Sequence, residues 1–168
     1  VQGALMGSEY AKLLLGKEEP TVGLLNIGEE ATKGNDVVLA TYPILERMKT
    51  INFSGNIEGR DIPKGVVDVV VCDGFVGNVV LKFAEGLVTG LTQLVKDSIM
   101  AGSIFAKIGA MLVKPALKKM AKRLDHTENG GAPLLGVNGV FMIAHGSSKS
   151  KEIKTAIEIA GDLVERKI

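Results

Sequence analysis

Apolar and polar stretches alternate along the chain in a way that predicts strands and helices in turn. Helical spacing of apolar residues predicts helices over 2–15, 37–48, 78–101 and 149–166. Short apolar runs predict strands over 21–27, 51–57, 66–72 and 134–144, the last interrupted by a turn at 136–139. Gly16 is expected to stop the first helix, and Pro43 must lie in the first turn of its helix or kink it. This order of elements is typical of the α/β class.

The stretch from Val66 to Lys82, VVDVVVCDGFVGNVVLK, carries the clearest local pattern. Its apolar, β-branched first part predicts a strand buried on both faces of a parallel sheet. From Asn78 onward the spacing is helical, so Asn78 is the predicted helix cap. The glycine-rich turn would present backbone N–H groups and the positive end of the helix dipole, which favours phosphate or carboxylate. The stretch contains neither the GxGxxG nor the GxxxxGK[ST] nucleotide motif.

Three predicted strands end in glycine with polar side chains, in the segments NIGEE, CDGFVGN and AHGSS. If these strands are parallel neighbours, their ends meet at one edge of the sheet together with two helix N-termini. The polar residues that would converge there are Asn26, Glu29, Glu30, Asp73, Asn78, His145 and Ser147. Such a convergence predicts an anion site with acid and base groups beside it.

Several of these side chains have two interpretations. His145 either faces a ligand or only ties down its turn. Cys72 could be an acyl-accepting nucleophile, but at the end of an apolar strand we expect a buried, inert thiol. The strand-end carboxylates could hold Mg²⁺. No HExxH, CxxC or EF-hand spacing supports a metal, so none is predicted, and His126 in a polar loop is expected to be solvated.

The segment 103–124 predicts two short helices separated at Pro115. Its apolar residues up to Val113 share one face, and those beyond Pro115 fall on a face rotated by about half a turn. Lysines and an arginine lie opposite them. This composition suits either the surface of an anionic membrane or a helical hairpin packed on another subunit. The wide apolar stripe of 78–101 predicts a core helix or a helix that packs on a partner helix, with oligomerisation as an extension.

Composition narrows the function classes. A chain of 168 residues predicts one domain, and its net charge of +1 argues against a general nucleic-acid binder. Only 4% of the residues are aromatic, which disfavours base-stacking platforms. A single cysteine suits a reducing cytoplasm. The sequence predicts neither a signal peptide nor an apolar stretch long enough to span a bilayer. Because the chain begins with Val1 rather than Met, we expect it to be a piece of a longer protein.

At VGLLNIGEE, VVVCDGFVGNVVLK, GGAPLLG and AHGSS, in this order, the chain resembles the bacterial phosphate acyltransferase of phospholipid synthesis, the PlsX family. The resemblance runs from Val1 to the region of Arg166 and corresponds to the C-terminal half of a family chain. It implies a single α/β unit with a fold like that of isopropylmalate dehydrogenase and phosphotransacetylase. It also implies a homodimer, built through a protruding helical hairpin at 78–124, whose apolar tip meets the membrane through 103–124.

The resemblance implies a reaction that moves a fatty acyl group from acyl carrier protein to inorganic phosphate, with no cofactor and no nucleic-acid partner. The protein would be cytoplasmic and peripheral at the inner face of the cell membrane. Phosphate is itself the nucleophile, so orientation and charge stabilisation should carry most of the rate. The expected catalytic residues are His145, Asn78 and Lys82. The expected substrate- and phosphate-binding residues are Asn26, Gly28, Glu29, Lys33, Asp73, Gly74, Gly77, Gly146 and Ser147.

Within this set, the turn from Gly74 to Asn78 is expected to bind phosphate or the developing oxyanion. His145 and Lys82 would donate to the carbonyl or to phosphate, and Asn26 and Asn78 would orient it. Glu29, Glu30 and Asp73 repel phosphate. We therefore expect them to position Lys33 and loop amides or to accept a proton.

One position departs from the family. Members commonly carry a Lys two residues before this His, where the chain has Ile143, so no basic group is expected there. Two other interpretations stay open. The first is another enzyme of the same architecture, a phosphotransacetylase or a decarboxylating dehydrogenase, although neither the metal-binding carboxylates nor the nicotinamide site of the latter is predicted. The second is a non-catalytic, dimerising module at a membrane surface.

Overall fold

The computed structural model describes residues 1–124, 131–144, 146 and 148–165, without the side chains at 118 and 120–124. The chain divides into two compact units, Val1–Ala84 and Glu85–Ile168, and the division falls within one long helix. His126, His145 and Ser147 lie outside the residues that the structure describes. The prediction of a single α/β unit for the whole chain stays a prediction.

The first unit is an α/β unit, as predicted. Its elements are α1 (Gln2–Leu15), β1 (Thr21–Asn26), α2 (Asp36–Arg47), β2 (Asn52–Glu58), a 3₁₀ helix (Gly59–Lys64), β3 (Val69–Val71) and the start of α3 (Gly74–Ala101). The three strands form a parallel sheet in the order β2-β1-β3. The likeness of this sheet to that of isopropylmalate dehydrogenase stays a prediction.

The core of the first unit lies where α1 and α2 meet the sheet. Ala4 of α1, Val22 and Leu24 of β1, Leu45 of α2 and Ile51 form one buried cluster. The central strand β1 is buried from Val22 to Asn26, as expected for a strand covered on both faces. By contrast, β3 is half-buried, because it lies at one edge of this three-stranded sheet.

The pairing of β1 with β2 contains a bulge. Val22 pairs with Phe53 but Leu24 pairs with Asn56, so β2 carries one extra residue there. Gly55 has a φ of 90°, a conformation open to glycine at little cost, and it supplies the bulge. The extra residue shifts the alternation of exposed and buried side chains along β2. Asn56 is therefore buried opposite Leu24, although Asn52 and Ser54 of the same strand are exposed.

The helix ends of this unit follow local sequence. Gly16 ends α1 in the left-handed conformation, as predicted. The Asn35 side chain caps α2 by accepting a hydrogen bond from the Val38 N–H at 3.0 Å. Pro43 lies in the interior of α2 rather than in its first turn, which removes one of the two predicted positions.

At the amino edge of the sheet, Asp68 joins the beginnings of β1 and β3. Its carboxylate accepts hydrogen bonds from the Lys17 ammonium at 2.6 Å and from the N–H and hydroxyl of Thr21 at 2.9 Å each. The Lys17 bond first, and then those from Thr21, lower the pKa of Asp68 from 3.8 to about 2. This contact fixes where β3 starts beside β1.

The second unit contains the rest of α3, α4 (Ile104–Leu124), β4 (Ala132–Pro133), β5 (Met142–Ile143) and α5 (Ser150–Glu165). The prediction of two helices separated at Pro115 is wrong, because α4 is one helix with Pro115 inside it. Proline in a helix removes one hydrogen bond without always ending the helix. Ser103 begins α4 with its hydroxyl 3.4 Å from the Ala106 N–H. That the two helices pair as a hairpin stays a prediction.

The predicted strand 134–144 is instead a small hairpin. β4 and β5 pair antiparallel, and the Leu134 N–H donates to the Phe141 carbonyl at 2.8 Å beside the glycine-bearing turn. After the hairpin, α5 starts at Ser150. The Glu152 carboxylate accepts from the Lys149 N–H at 2.7 Å, which places the cap position at Lys149 rather than at the predicted Ser148. The other predicted cap, Ser147, lies outside the described residues.

Among the described residues, one helix is long and apolar enough to cross a membrane, by length and composition alone: α3. The sequence analysis did not predict such a stretch. None of the 28 residues of α3 is buried in the described structure.

Candidate functional site

Two of the three predicted strand ends meet at the carboxyl edge of the parallel sheet. β1 and β3 are direct neighbours with parallel pairing from Val22 and Val69 onward, so NIGEE and CDGFVGN follow adjacent strands. Among the described residues, the strand that precedes the third strand end, β5, pairs with β4 in a separate antiparallel ladder rather than with this sheet. Of the expected residues in AHGSS, Gly146 is exposed in a turn, and His145 and Ser147 lie outside the described residues.

Asn26 ends β1 and secures the loop 27–34 that follows it. Its Oδ1 accepts from the Ile27 N–H at 2.8 Å, and its Nδ2 donates to the Lys33 carbonyl at 2.9 Å. The buried amide thus ties the start of the loop to its end. Gly34 closes the loop at a φ of 109°, where a Cβ would lie 2.7 Å from the Asn26 Oδ1. Glycine is therefore required at the closing position.

The expected binding residues of this loop have different environments. Gly28 is buried, and Glu29, Glu30 and Lys33 are exposed. A Cβ at Gly28 would lie 2.8 Å from the Glu30 Oε2 and 3.1 Å from the Lys33 Cγ. The side chains of Glu30 and Lys33 therefore lie close to Gly28.

The turn after β3 is shorter than predicted. Helix α3 begins at Gly74 rather than at Asn78, and Asp73 caps it: the Asp73 Oδ1 accepts from the Val76 N–H at 2.9 Å. The cap position comes directly after the strand because Asp is itself a strong capping residue. Gly74 and Gly77 thus belong to the first turn of α3, and a Cβ at Gly77 would lie 3.0 Å from the Cys72 sulfur.

This earlier start changes the position of two expected catalytic residues. Asn78 is the fifth residue of α3 rather than its cap, and Lys82 follows one turn later. Residues four apart lie on the same face of a helix. Both side chains are exposed. The structure thus places an amide and an ammonium group on one face of the helix that begins at the strand end.

A cavity of about 500 Å³ opens at this edge, between the end of β1, the start of α2 and the start of α3. Its walls are mostly aliphatic, and its polar groups come from the strand ends and helix starts. It is lined by Val1, Leu24, Leu25, Asn26, Ile27, Gly34, Asn35, Val37, Val38, Thr41, Val71, Cys72, Asp73 and Val76. A mostly apolar lining with a few polar groups suits a ligand that has a hydrocarbon part and a polar end.

Cys72 lies in the wall of this cavity and is half-buried rather than buried. Burial, and then the charge of Asp73, raise the pKa of the thiol above 9.0. The thiol is therefore protonated at neutral pH, and a protonated thiol is a poor nucleophile. This supports the inert role expected for Cys72.

Charge at the carboxyl edge is mixed. Its loop and helix starts carry the exposed carboxylates of Glu29, Glu30, Asp36 and Asp73 and the exposed ammonium group of Lys33, and Lys82 lies further along α3. The Asp73 carboxylate already takes up the Val76 N–H, where an anion could otherwise bind. In the part of the chain that the structure describes, no cluster of three or more His, Cys, Asp and Glu residues could hold a metal ion.

Two residues of this edge were missed by sequence reasoning. Asn35 caps α2 and lines the cavity, and the Asn-Asp pair that opens an apolar helix is a recognisable local signal for such a cap. Asn56 is buried and donates to the Glu30 carbonyl at 2.9 Å. No local signal marks Asn56, because the bulge in β2 decides which way its side chain faces.

The parallel sheet, the strand–turn–helix at its carboxyl edge and the adjoining cavity define an α/β protein with a candidate ligand site at the strand ends. The chain belongs to the fatty acid synthesis protein family, whose model matches residues 1–168. This confirms the resemblance inferred from the four motifs.

Relatives include several phosphate acyltransferases. That of Desulfitobacterium hafniense is 56% identical over 166 residues, which cover 98% of this chain and 49% of the relative. That of Heliobacterium modesticaldum is also 56% identical over 166 residues, which cover 99% of this chain and 49% of the relative. That of Gloeothece citriformis is 50% identical over 167 residues, which cover 99% of this chain and 47% of the relative. The chain spans about half the length of the curated relatives it matches.

Proposed function

We propose that the protein containing this chain transfers a fatty acyl group from acyl carrier protein to inorganic phosphate, and so makes acyl phosphate for phospholipid synthesis. The observation that carries the proposal is the mostly apolar cavity at the strand ends, in a chain whose relatives include phosphate acyltransferases. A volume of about 500 Å³ lies within the range of small-molecule sites, roughly 300–1,000 Å³.

The proposed reaction needs no covalent enzyme intermediate. A phosphate oxygen attacks the thioester carbonyl carbon, a C–O bond forms, and the C–S bond breaks to release the carrier thiol. The protonated Cys72, the one cysteine of these 168 residues, fits this direct transfer, because a protonated thiol is a poor acceptor of the acyl group. Orientation of the reactants and stabilisation of the oxyanion then supply most of the rate.

The acyl chain would occupy the cavity with its carbonyl at the rim near Asp73 and the start of α3. Asn78 and Lys82 would bind phosphate or the developing oxyanion from one helix face. His145 would donate to the carbonyl or to phosphate, with Gly146 and Ser147 beside it. Lys33 would add positive charge from the loop 27–34. Glu29 and Asp73 would position these groups rather than touch the anion, because carboxylates repel phosphate.

The test is an assay of the full-length protein with palmitoyl-acyl carrier protein. Release of free carrier protein should depend on inorganic phosphate and should fall by about 10² or more in Asn78→Ala. Acyl carrier protein should be the better donor. A clear preference for acetyl-coenzyme A would instead favour the phosphotransacetylase interpretation, and no turnover by the full-length protein would favour the non-catalytic module.

We further propose a homodimer and a peripheral contact with an anionic membrane, in a cytoplasmic protein. The exposed apolar side chains of α3, among them Phe83, Leu87 and Leu91, support the dimer. Those of α4, among them Phe105, Met111 and Leu112, support the membrane contact within 103–124. The isopropylmalate dehydrogenase-like fold and the hairpin at 78–124 are proposed on the same resemblance.

A further inference from the structure

The loop 27–34 is held by two buried asparagines from neighbouring strands. Asn26 of β1 connects its first N–H to its Lys33 carbonyl, as described above. Asn56 of β2 reaches its middle, with the Nδ2 donating to the Glu30 carbonyl at 2.9 Å. The same carbonyl also accepts from the Lys33 N–H at 3.1 Å. The backbone of an exposed loop is thus fixed at its start, middle and end.

Asn56 is an unfavourable choice for stability alone. It is 7% exposed, and its Oδ1 is buried without a hydrogen-bond partner among the described residues. A buried acceptor left unpaired opposes folding, whereas an apolar side chain of similar size would not carry this cost. The Glu30 carbonyl would still have the bond from Lys33. The amide of Asn56 therefore contributes mainly to holding the loop.

We propose that Asn56 is a positioning residue for the substrate site. By holding the Glu30 carbonyl, it presents Glu29 and Lys33 at the carboxyl edge in one arrangement. This inference rests on the proposed acyl transfer to phosphate. If the loop also populates other arrangements, only part of the protein can bind phosphate, and the apparent affinity falls by that fraction. A loop held in the binding arrangement avoids this loss. Loss of the Asn56 bond should therefore weaken phosphate binding more than it slows the chemical step.

The experiment compares Asn56→Leu with the unaltered full-length protein. The leucine removes both the donor and the unpaired acceptor, so the variant should melt within about 5 °C of the unaltered protein. Trypsin cleavage after the exposed Lys33, identified by mass spectrometry, should become roughly tenfold faster or more. The KM for inorganic phosphate should rise about fivefold or more, while kcat changes less than about twofold.

Two further variants keep the test interpretable. Asn52→Leu is the matched control, because Asn52 is an exposed asparagine of the same strand whose amide reaches a carbonyl at the other end, that of Glu19. It should leave cleavage and KM unchanged. Asn56→Ala removes the same donor and acceptor without adding apolar bulk. It should release the loop even if the leucine variant does not fold.

Unchanged cleavage at Lys33 in both Asn56 variants would overturn the inference. Faster cleavage with an unchanged KM would also overturn it, since the loop would be released without consequence for the site, and acyl transfer would still stand. No phosphate-dependent turnover by the unaltered protein would overturn the proposed function, and with it any role of Asn56 in that reaction. The cleavage rates would then still report whether Asn56 holds the loop.

Discussion

Asp68 shows how one side chain sets the geometry of the sheet. Its carboxylate accepts from Lys17 and twice from Thr21, and its own N–H returns a bond to the Thr21 hydroxyl at 2.9 Å. These bonds join the beginnings of β1 and β3 at the edge opposite the site. The sequence shows an aspartate between a run of two valines and a run of three, and its partners lie about fifty positions away, so local patterns do not reveal the contact.

Acid should weaken the fold through this residue. The pKa of Asp68 is about 2 in the folded protein against 3.8 as the ordinary value, so the unfolded chain binds the proton more readily. The contribution of Asp68 to the free energy of unfolding is therefore fully present above roughly pH 4 and is lost as the pH falls through 2. Urea unfolding followed by circular dichroism between pH 2 and pH 6 measures it.

Asp68→Asn should lack this part of the acid dependence, and Lys17→Met should reduce it, because the Lys17 bond is the largest cause of the lowered pKa. If Asp68→Asn kept the acid dependence of the unaltered protein, the assigned contact would be wrong.

At the scale of elements, the start of α3 decides the shape of the candidate site. The helix starts four residues earlier than the apolar spacing predicts, because Asp73 caps it and two glycines are accommodated in its first turn. Residues in the first turn of a helix do not have to follow the apolar spacing of its interior, so apolar periodicity does not mark where the helix starts. The end of α1 was predictable because Gly16 is a local signal.

Removing the cap should destabilise α3. Asp73→Ala should lower the free energy of unfolding by about 1 kcal/mol, the usual cost of losing a capping side chain. Asp73→Asn keeps an oxygen for the Val76 N–H and should cost less than about 0.5 kcal/mol. Chemical denaturation of both variants measures the difference. Equal losses in the two variants would show that the 2.9 Å contact does not act as a cap.

Filling the cavity should change the preference for acyl-chain length. Thr41 lines the cavity from α2, and Thr41→Phe would occupy part of its volume. The kcat/KM for a sixteen-carbon acyl carrier protein should fall about tenfold or more, and that for a four-carbon chain less than about threefold. Thr41→Val has nearly the same shape as threonine and is the control. Equal losses with both chain lengths would place the acyl chain elsewhere.

At the scale of the whole molecule, which strands pair with each other was the feature least predictable from the sequence. The α/β class and a parallel sheet followed from apolar runs and glycines, whereas the sequence analysis set the neighbouring of the strands only as a condition, which β1 and β3 meet. The separate ladder of β4 and β5 did not, because a short apolar run does not specify its partner strand or direction. Asn56 was missed for a related reason: a bulge formed against β1 turned it inward.

The apolar side chains of α4 separate two proposals about the assembled protein. Phe105 is 80% exposed in the described structure. If α4 lies in a membrane surface, Phe105→Glu should weaken co-sedimentation with phosphatidylglycerol vesicles about fivefold or more, because apolar area is lost and repulsive charge is added. Leu14→Glu, at an exposed leucine of α1, should leave vesicle binding unchanged.

Sedimentation velocity on the same Phe105→Glu protein tests the other proposal. Dissociation of a dimer with unchanged vesicle binding would contradict the membrane contact and favour a helix packed on another subunit.

The central claim is direct transfer of a fatty acyl group to inorganic phosphate, and the most direct test follows the phosphate oxygens. Full-length protein is incubated with palmitoyl-acyl carrier protein and phosphate labelled with ¹⁸O at every oxygen, and the products are analysed by mass spectrometry. The account predicts acyl phosphate that retains all the labelled oxygens and is equimolar with the free carrier protein. Free fatty acid in place of acyl phosphate, or release of carrier protein without phosphate, would contradict it.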